Sequence, residues 1–283
     1  MEGDITRSRR FCSTTHCTLL FLALIVTSSC LRGEQVPVVH RQGAIHGFLI
    51  LKDDNGKEIA VGDQTNQVHG DTIHARTIFH FRDGSVDDEE TIYRERSTFE
   101  LIFDHHIQKG PAFTKPSNVT IDVRKGLVSW IDSGKDNQPK SQHMNLPHDL
   151  ANGLIPLFVQ NYPHGAADLK LSYLGVDSKP RLITLDIKPD GTDKVLLGWS
   201  GRQADRFNVH FDLGGIAGIV APIVGKQPPD IGVWTVAGAD APVPVFVKLV
   251  GPLYENGPTW TVLLAAPTWP TQDQEKSTDD HKK

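Results

Sequence analysis

The alternation of residue types between Thr72 and Gln108 limits the folds open to this chain more than any other feature of the sequence. In Thr72–Arg82 one face carries Ile73, Ala75, Thr77, Phe79 and Phe81, and the other carries His74, Arg76, Ile78, His80 and Arg82. In Thr98–Gln108 one face carries Phe99, Leu101, Phe103 and Ile107, and the other carries Glu100, Asp104 and His106. A period of two residues is typical of a half-buried strand. The pattern therefore predicts two strands whose ionisable face either meets water or lines a site.

Most of the remaining chain consists of short β-like runs separated by turn signals. Asp53-Asp54-Asn55-Gly56, for example, carries the Asn-Gly hairpin signal between runs at Gly43–Lys52 and Lys57–His69. Further strands are predicted at Asp88–Arg96, Asn118–Arg124, Leu127–Asp132, Lys140–Leu146, Asp168–Val176, Arg181–Lys188, Lys194–Trp199, Arg202–Leu213, Ile231–Val236, Pro244–Val250 and Pro258–Ala266. Short connections favour antiparallel pairing, because parallel strands need long crossovers. The predicted fold class is mainly β, a large curved antiparallel sheet or half-barrels with one or two short helices.

One segment breaks the β pattern. Pro147–Tyr162 spaces its apolar residues mostly as a helix does, with Pro147 suited to the first turn and Pro163 beyond the end. Gly153 and Pro156 interrupt the pattern. A helix is predicted over this segment.

The N-terminus has the pattern of an export signal. Arg7, Arg9 and Arg10 precede an apolar run at Leu19–Val26 that is too short to span a bilayer. The small polar residues that follow suit cleavage at or just beyond Ser29. We therefore expect an exported bacterial protein, periplasmic or associated with the outer membrane.

Cys30 leaves three outcomes open for this leader. Val26-Thr27-Ser28-Ser29-Cys30 resembles a bacterial lipoprotein signal, in which the cysteine is lipidated and anchors the mature chain to a membrane. Thr27 departs from the usual aliphatic residue at its position. The alternatives are ordinary signal cleavage and an uncleaved anchor. Either form of cleavage leaves at most one of the three cysteines, so disulfides would not stabilise the mature fold.

Charge and length set the domain organisation and exclude one class of partner. The formal net charge is −5, and removing the arginine-rich leader leaves an acidic remainder without a basic nucleic-acid footprint. The predicted organisation is an export signal at 1–33, a mostly antiparallel β domain at 34–270 with room for two sheet halves at 40–146 and 165–270 joined by a helix at 147–162, and a disordered polar tail at 271–283.

The order of these segments resembles that of a known group of proteins. A polar-faced strand block is followed by Leu146-Pro147-His148-Asp149-Leu150, and then by a second block with Gly214-Gly215 and Gly225-Lys226-Gln227-Pro228-Pro229. This arrangement is similar to exported bacterial β-sheet proteins of unknown function. At the level of the fold it also resembles the half-barrel lipoprotein carriers of the periplasm, which hold acyl chains between a sheet and helices. The resemblance implies no catalytic residues.

Four ionisable residues form the first candidate site. His74, His80, Asp104 and His106 would supply a metal ligand set or a general base if their strands lay side by side. Six residues of extended chain separate His74 from His80 by roughly 20 Å, so these two cannot share one metal ion. The competing interpretation is a solvated sheet face with cross-strand ion pairs. Alternation also places His105 on the apolar face, as a core histidine.

The second candidate site is the apolar run at Leu213–Val224. A segment that is apolar all round must be covered, so it is a core segment under the sheet, a lid over an apolar cavity, or a loop that dips into lipid. Its glycines would serve as hinges of a lid. The residues predicted to bind an apolar ligand are Ile216, Ile219, Val220, Ile223 and Lys226.

These features favour a binding protein over an enzyme. The sequence contains no Gly-x-Ser-x-Gly elbow, no His-Glu-x-x-His and no phosphate loop of the Walker type. We expect a non-enzymatic envelope protein that binds a lipid, another apolar or amphipathic small molecule, or an envelope partner, without a cofactor or metal. The alternatives are an exported hydrolase or metal-dependent enzyme that uses the four ionisable residues, and a structural envelope protein. The oligomeric state stays open.

Overall fold

The computed structural model describes residues 34–131, 138–176, 178–197, 200–213, 228–238 and 241–266. Its strands, in chain order, are β1 Ile45–Lys52, β2 Glu58–His69, β3 Thr72–Phe81, β4 Val86–Glu95, β5 Phe99–Lys109, β6 Ser117–Asp122, β7 Leu127–Ile131, β8 Pro139–His143, β9 Leu169–Val176, β10 Pro180–Leu197, β11 Ser200–Asp212, β12 Ile231–Gly238, β13 Ala241–Gly251 and β14 Trp260–Ala266. Within these residues one helix, α1, spans Ile155–Gln160.

The strands form one curved antiparallel sheet of 14 strands, which confirms the predicted fold class. Each strand pairs with its neighbour in sequence, except that β8 and β9 are the two edges and β1 pairs with β14. In that pairing Leu51 lies opposite Val262. The strand groups at 40–146 and 165–270 are therefore parts of one sheet.

The strands lie close to their predicted positions, and β10 is the main difference. It is one strand of 18 residues where two were predicted at Arg181–Lys188 and Lys194–Trp199. β11 pairs with β10 from Thr184 to Leu197, across both predicted segments, and an irregularity between Pro189 and Thr192 absorbs the interruption.

The helix is shorter than predicted, because the residues before it bond to the edge of β9. The Asp149 carboxylate accepts hydrogen bonds from the backbone N–H and the hydroxyl of Ser172, at 2.9 and 3.0 Å. Asn152 accepts from the Leu174 N–H at 2.9 Å and donates to the Leu174 carbonyl at 3.0 Å. These bonds occupy an edge that would otherwise expose unpaired backbone groups. The helix prediction at Pro147 was therefore wrong by about two turns.

A β-bulge in β5 changes the predicted faces of that strand. Ile92 lies opposite Phe103 and Tyr93 lies opposite Leu101, so Ile102 is an extra residue in the ladder. Because side chains alternate, one extra residue exchanges the two faces beyond it. Asp104 and His106 consequently share the inner face with Phe99 and Leu101.

The prediction that His105 lies in the core was wrong for the same reason. His105 and Ile107 line a shallow depression on the outer face, together with Arg76, Asp88 and Glu90. The His105 Nε2 atom lies 3.0 Å from the amide oxygen of Asn118 on β6.

The main hydrophobic core lies on the concave side of the sheet, where α1 packs against β12 and β13. The helix presents Leu157, Phe158 and Val159 as buried residues. Phe158 also contacts Phe99 of β5, with ring centroids 6.1 Å apart. The helix thus connects two distant parts of the sheet.

Asn161, at the end of α1, forms hydrogen bonds with the segment that precedes β1. Its amide oxygen accepts hydrogen bonds from the N–H groups of Val39 and His40 at 3.1 and 2.7 Å, and its amide nitrogen donates to the Leu157 carbonyl. The residue is 1% exposed.

We expect Asn161→Ala to lower the free energy of unfolding by about 2 kcal/mol, because it removes three hydrogen bonds around a buried position. Urea denaturation followed by tryptophan fluorescence measures the change. The control is Asn55→Ala in an exposed turn, for which a change within about 0.5 kcal/mol is expected. Equal effects of the two substitutions would contradict the role of Asn161.

Candidate functional site

A cavity of about 1100 Å³ lies on the concave side of the sheet. Binding pockets for small molecules typically measure about 300–1,000 Å³, so this space would hold a sizeable ligand. One side of the cavity, the apolar wall, comes from β1, α1 and β12–β14. The apolar wall consists of Leu49, Leu157, Ile231, Phe246, Val262 and Leu264.

The facing side carries polar residues from β4 and β5. The polar cluster consists of Asp87, Glu89 and Thr91 of β4 and Asp104, His106 and Gln108 of β5. They form three directly opposed pairs, Asp87 with Gln108, Glu89 with His106, and Thr91 with Asp104. All except Thr91 line the cavity.

The turn between β3 and β4 determines which acidic residues face inward. Gly84 has a φ of 86°, in the left-handed region that suits a short hairpin loop, and its N–H donates to the Phe81 carbonyl. The resulting register places Asp87 opposite Phe79. Directly opposed residues share a face, so Asp87 points to the side where the core lies.

Asp87 and His106 form the shortest contact of the polar cluster. The His106 Nε2 atom lies 2.6 Å from one Asp87 oxygen, and the Gln108 amide donates to the other at 3.1 Å. The same amide donates to the Leu253 carbonyl at 2.9 Å, beyond the end of β13. The Asp87 carboxylate therefore has a counter-charge and a second donor.

Asp104 has weaker compensation. Its oxygen accepts a hydrogen bond from the Thr91 hydroxyl at 3.0 Å, and both side chains are almost fully buried. Gly153, with a φ of 67°, packs its backbone against them so closely that a Cβ atom there would overlap the Thr91 hydroxyl. A glycine at this position lets the chain before α1 cover the carboxyl group.

Within the polar cluster, Glu89 is the carboxylate most open to the cavity. Its side chain is 31% exposed, and Glu89 lines the cavity. Its contact with the cluster is a 4.0 Å approach to the His106 Nδ1 atom, which is too long for a hydrogen bond.

The electrostatics of the polar cluster reflect this uneven pairing. Desolvation lowers the pKa of His106, but the charges of Asp87 and Glu89 and the hydrogen bond with Asp87 outweigh it and raise the pKa to about 10. Desolvation and the charge of Glu89 raise the pKa of Asp104 to about 8. Desolvation also raises the pKa of Glu89, and His106 offsets part of this effect. At neutral pH the His106 imidazole is therefore a cation, and Asp104 is mostly protonated.

Two buried polar atoms beside the cluster have no hydrogen-bond partner in the part of the chain that the structure describes. They are Oδ1 of Asn66, which is 7% exposed, and Nε1 of Trp130, which is 6% exposed. Both residues line the cavity. Buried polar atoms normally have hydrogen-bond partners. The Asn66 oxygen can therefore accept a hydrogen bond from a ligand or water, and the Trp130 N–H can donate one.

A residue of β9, the strand at the opposite edge of the sheet, lies close to the cluster. Tyr173 of β9 lines the cavity, and its ring contacts Phe211 at a centroid distance of 5.5 Å. Desolvation and the charges of Glu89 and Asp104 raise the pKa of the Tyr173 phenol. The phenol thus remains a neutral hydrogen-bond donor close to both carboxyl groups.

The structure divides the four predicted ionisable residues between the two faces. Asp104 and His106 line the cavity, whereas His74 and His80 lie on the outer face. The His74 ring contacts that of His69, and His80 is exposed. The sheet separates the pairs, so the four residues do not form one site.

The other predicted site residues lie outside the described residues. They are Ile216, Ile219, Val220, Ile223 and Lys226, together with Cys30. The residues on either side of the apolar segment, Leu213 and Pro228, line the cavity.

Sequence reasoning missed Asp87, Glu89, Gln108, Asn66 and Trp130. β4 has acidic residues on both faces, so its own alternation does not show which face is inward. The tight turn at Asp83-Gly84 could have supplied this information. Pairing β3 with β4 across that turn places Asp87 opposite Phe79, which faces inward, so Asp87 and Glu89 face inward as well.

The described residues contain no group of three or more His, Cys, Asp or Glu that is arranged to hold a metal ion. No helix among them is long and apolar enough to cross a membrane.

Comparisons with known proteins assign no family. No protein-family model matches the chain, and no curated protein matches it. A solved structure with which it shares similarity is a beta-barrel-like protein of the domain of unknown function DUF1849 from Brucella abortus. The identity is 11%, the TM-score is 0.40, and the match covers 80% of this chain and 95% of that chain. The chain is thus similar to a bacterial β-sheet protein whose function is unknown.

We expect the buried carboxyl of Asp104 to make the fold less stable as the pH rises. Its pKa is raised from 3.8 to about 8 in the folded protein, so its contribution is complete below pH 4 and is lost between about pH 4 and pH 8. His106 acts in the same direction between about pH 6.5 and pH 10.

Asp104→Asn should therefore flatten the decline up to pH 8 and exceed the parent in stability there by more than about 1 kcal/mol. Urea denaturation at each pH measures both chains. Glu90→Gln on the outer face serves as the control, with a profile parallel to that of the parent. Parallel profiles for Asp104→Asn and the parent would show that Asp104 does not bear a raised pKa.

Proposed function

We propose that this protein binds an amphipathic or apolar small molecule in the cavity between its sheet and α1, and that it does so without catalysis. The observation that carries the proposal is the cavity itself, with an apolar wall on one side and buried polar atoms that lack partners on the other. The concave space of about 1100 Å³ is not filled by the side chains that line it. A concave and partly apolar space with a few polar groups is the usual form of a site for a small molecule.

The lining supports an amphipathic occupant over a purely apolar one. An apolar chain against Leu157, Phe246 and Leu264 would remove apolar surface from water, which stabilises a complex by roughly 25 cal/mol per Å². A polar group on the same molecule would reach Glu89 and Asn66. A purely apolar ligand would leave those groups desolvated without partners, at a cost.

The enzymatic alternative has weaker support. A general base must be unprotonated near the working pH, whereas the raised pKa of His106 keeps its imidazole protonated at neutral pH. The short contact with Asp87 is that of an ion pair. The separation of His74 and His80 from Asp104 and His106 also removes the constellation on which that alternative depended.

We also propose that the protein acts in the bacterial cell envelope after export. Arg7, Arg9 and Arg10 before the apolar run at Leu19–Val26 support this location. A carrier or sensor of amphipathic molecules suits that compartment, where such molecules cross an aqueous space.

The first experiment is native mass spectrometry of the protein purified from a bacterial expression host. We expect a bound small molecule, and we expect Ala75→Phe to reduce its occupancy on the order of tenfold, because the ring would enter the cavity between Asn66 and Thr91. Val61→Phe is the matched control, because Val61 is exposed on the outer face. A parent protein that carries no adduct and binds none of added dodecanol, dodecylammonium and laurate would refute the proposed function.

The second experiment is the intact mass of the full chain after expression in a bacterium. We expect loss of the leader near Ser29, and the Cys30→Ser variant distinguishes the two kinds of processing. An added acyl mass that disappears in the variant indicates lipidation, and equal processing of both chains indicates ordinary cleavage. A full-length mass in the membrane fraction indicates an uncleaved anchor, whereas a full-length mass in the cytosolic fraction would overturn the export proposal.

A further inference from the structure

The polar cluster contains more acid than its own bases can neutralise. Three carboxyl groups, those of Asp87, Glu89 and Asp104, face the cavity together with one imidazole, that of His106. The imidazole forms an ion pair with Asp87, with a contact of 2.6 Å. Glu89 and Asp104 are left without a cation of their own.

No arginine or lysine acts on these two carboxyl groups in the described structure. The groups that shift the pKa of Glu89 or Asp104 are Asp87, Glu89, Thr91 and His106, besides desolvation. On the facing edge of the sheet, the titratable neighbour is the Tyr173 phenol, which is uncharged at neutral pH. A cation that enters the cavity would therefore meet acceptors and one imidazolium that is already paired.

The unpartnered oxygen of Asn66 extends this acceptor set. Asn66, Ala75, Thr91 and Asp104 lie opposite one another on β2, β3, β4 and β5, and so form one row across the concave face. Two strand spacings, roughly 10 Å, separate Asn66 from Thr91. The small side chain of Ala75 lies between them, so the row has open space above its middle.

The cation that fits is organic. A metal ion would need three or more converging ligands, and the described residues offer no such group. An ammonium group does not need a full ligand shell, because one positive charge with two or three N–H donors can be held by one or two neighbouring carboxyl groups.

We propose that the cavity selects a cationic amphiphile, whose ammonium group lies beside Glu89 and Asp104 while its chain lies along the apolar wall. This inference rests on the proposed function, because it names the ligand class for the same cavity. The ammonium group supplies a counter-charge to Glu89 and Asp104, which have no cation of their own once they are ionised.

Cations also line the cavity, and they are placed differently. Arg41 and Arg181 are exposed, as is Lys115. Charges in contact with water are weakened by its high dielectric constant and by salt, whereas Asp104 is almost fully buried and Glu89 is only partly exposed. The carboxyl groups of the polar cluster therefore outweigh the exposed cations in the choice of ligand charge.

Binding of a cation should release protons. Desolvation and the charge of Glu89 raise the pKa of Asp104 to about 8 in the free protein, so this carboxyl group is protonated for much of the time at neutral pH. An ammonium group beside it favours the charged carboxylate and drives that proton into solution. A neutral ligand has no such effect.

The test is isothermal titration calorimetry of the delipidated full chain at pH 7 with dodecylammonium, dodecanol and laurate, each below its micelle concentration. These probes have matched chains and differ in the charge of the head group. We expect dodecylammonium to bind about tenfold more tightly than dodecanol, and laurate to bind least. Titrations in phosphate and in Tris, which differ in heat of ionisation, should show proton release with dodecylammonium alone.

Two isosteric variants separate the acid that faces the cavity from its neighbour on the outer face. Glu89→Gln should remove most of the preference for dodecylammonium over dodecanol and reduce the proton release. Glu90→Gln, one residue further on the outer face, should leave both unchanged.

Four outcomes decide between the two proposals. Tighter binding of dodecylammonium with proton release supports cation selection. Equal binding of dodecylammonium and dodecanol overturns cation selection and leaves the proposed function intact. A preference for laurate also overturns it, and assigns the choice to the exposed arginines. If none of the three probes binds, the proposed function fails as well.

Discussion

The pairing of β1 with β14 is the contact on which the rest of the structure depends. It joins the strands near the start of the described chain to those near its end, with Leu49 opposite Leu264 and Leu51 opposite Val262. Without it, β1–β8 and β9–β14 would be two separate sheets with four edges. With it, one continuous sheet can curl until β13, α1 and β5 approach one another, and the concave side encloses a cavity.

The polar cluster on that concave side lowers the stability of the fold. Burial of carboxyl groups costs several kcal/mol for each unpaired charge, and proteins normally avoid it by pairing or protonation. Here Asp87 is paired with His106, whereas Asp104 is protonated for much of the neutral range. Perturbed carboxyl groups in a cleft are typical of functional sites rather than of structural ones. The same residues that weaken the fold at high pH form the polar side of the proposed binding site.

Much of the architecture could be predicted from local patterns, and the cavity could not. The alternation in Thr72–Arg82 correctly identified the inner face of β3, because Phe79 and Phe81 are buried and His80 is exposed. The same logic failed in β5, because one extra residue at Ile102 exchanged the faces beyond it. A bulge has no distinctive composition, so the residues of the strand did not reveal it.

The sequence by itself determined the elements: strand positions, turn positions, and the mainly β class follow from period-two alternation and glycine-containing turns, which act within a few residues. The tertiary structure decided which residues meet. Asp104 and His106 join Asp87 and Glu89 because β4 and β5 pair with a bulge, and Tyr173 reaches the same place because the sheet curls. Asn152 shortened the helix because it bonds to β9, a strand that follows it in the chain. These contacts depend on register and curvature, which arise from the packing of the whole sheet and leave no local trace.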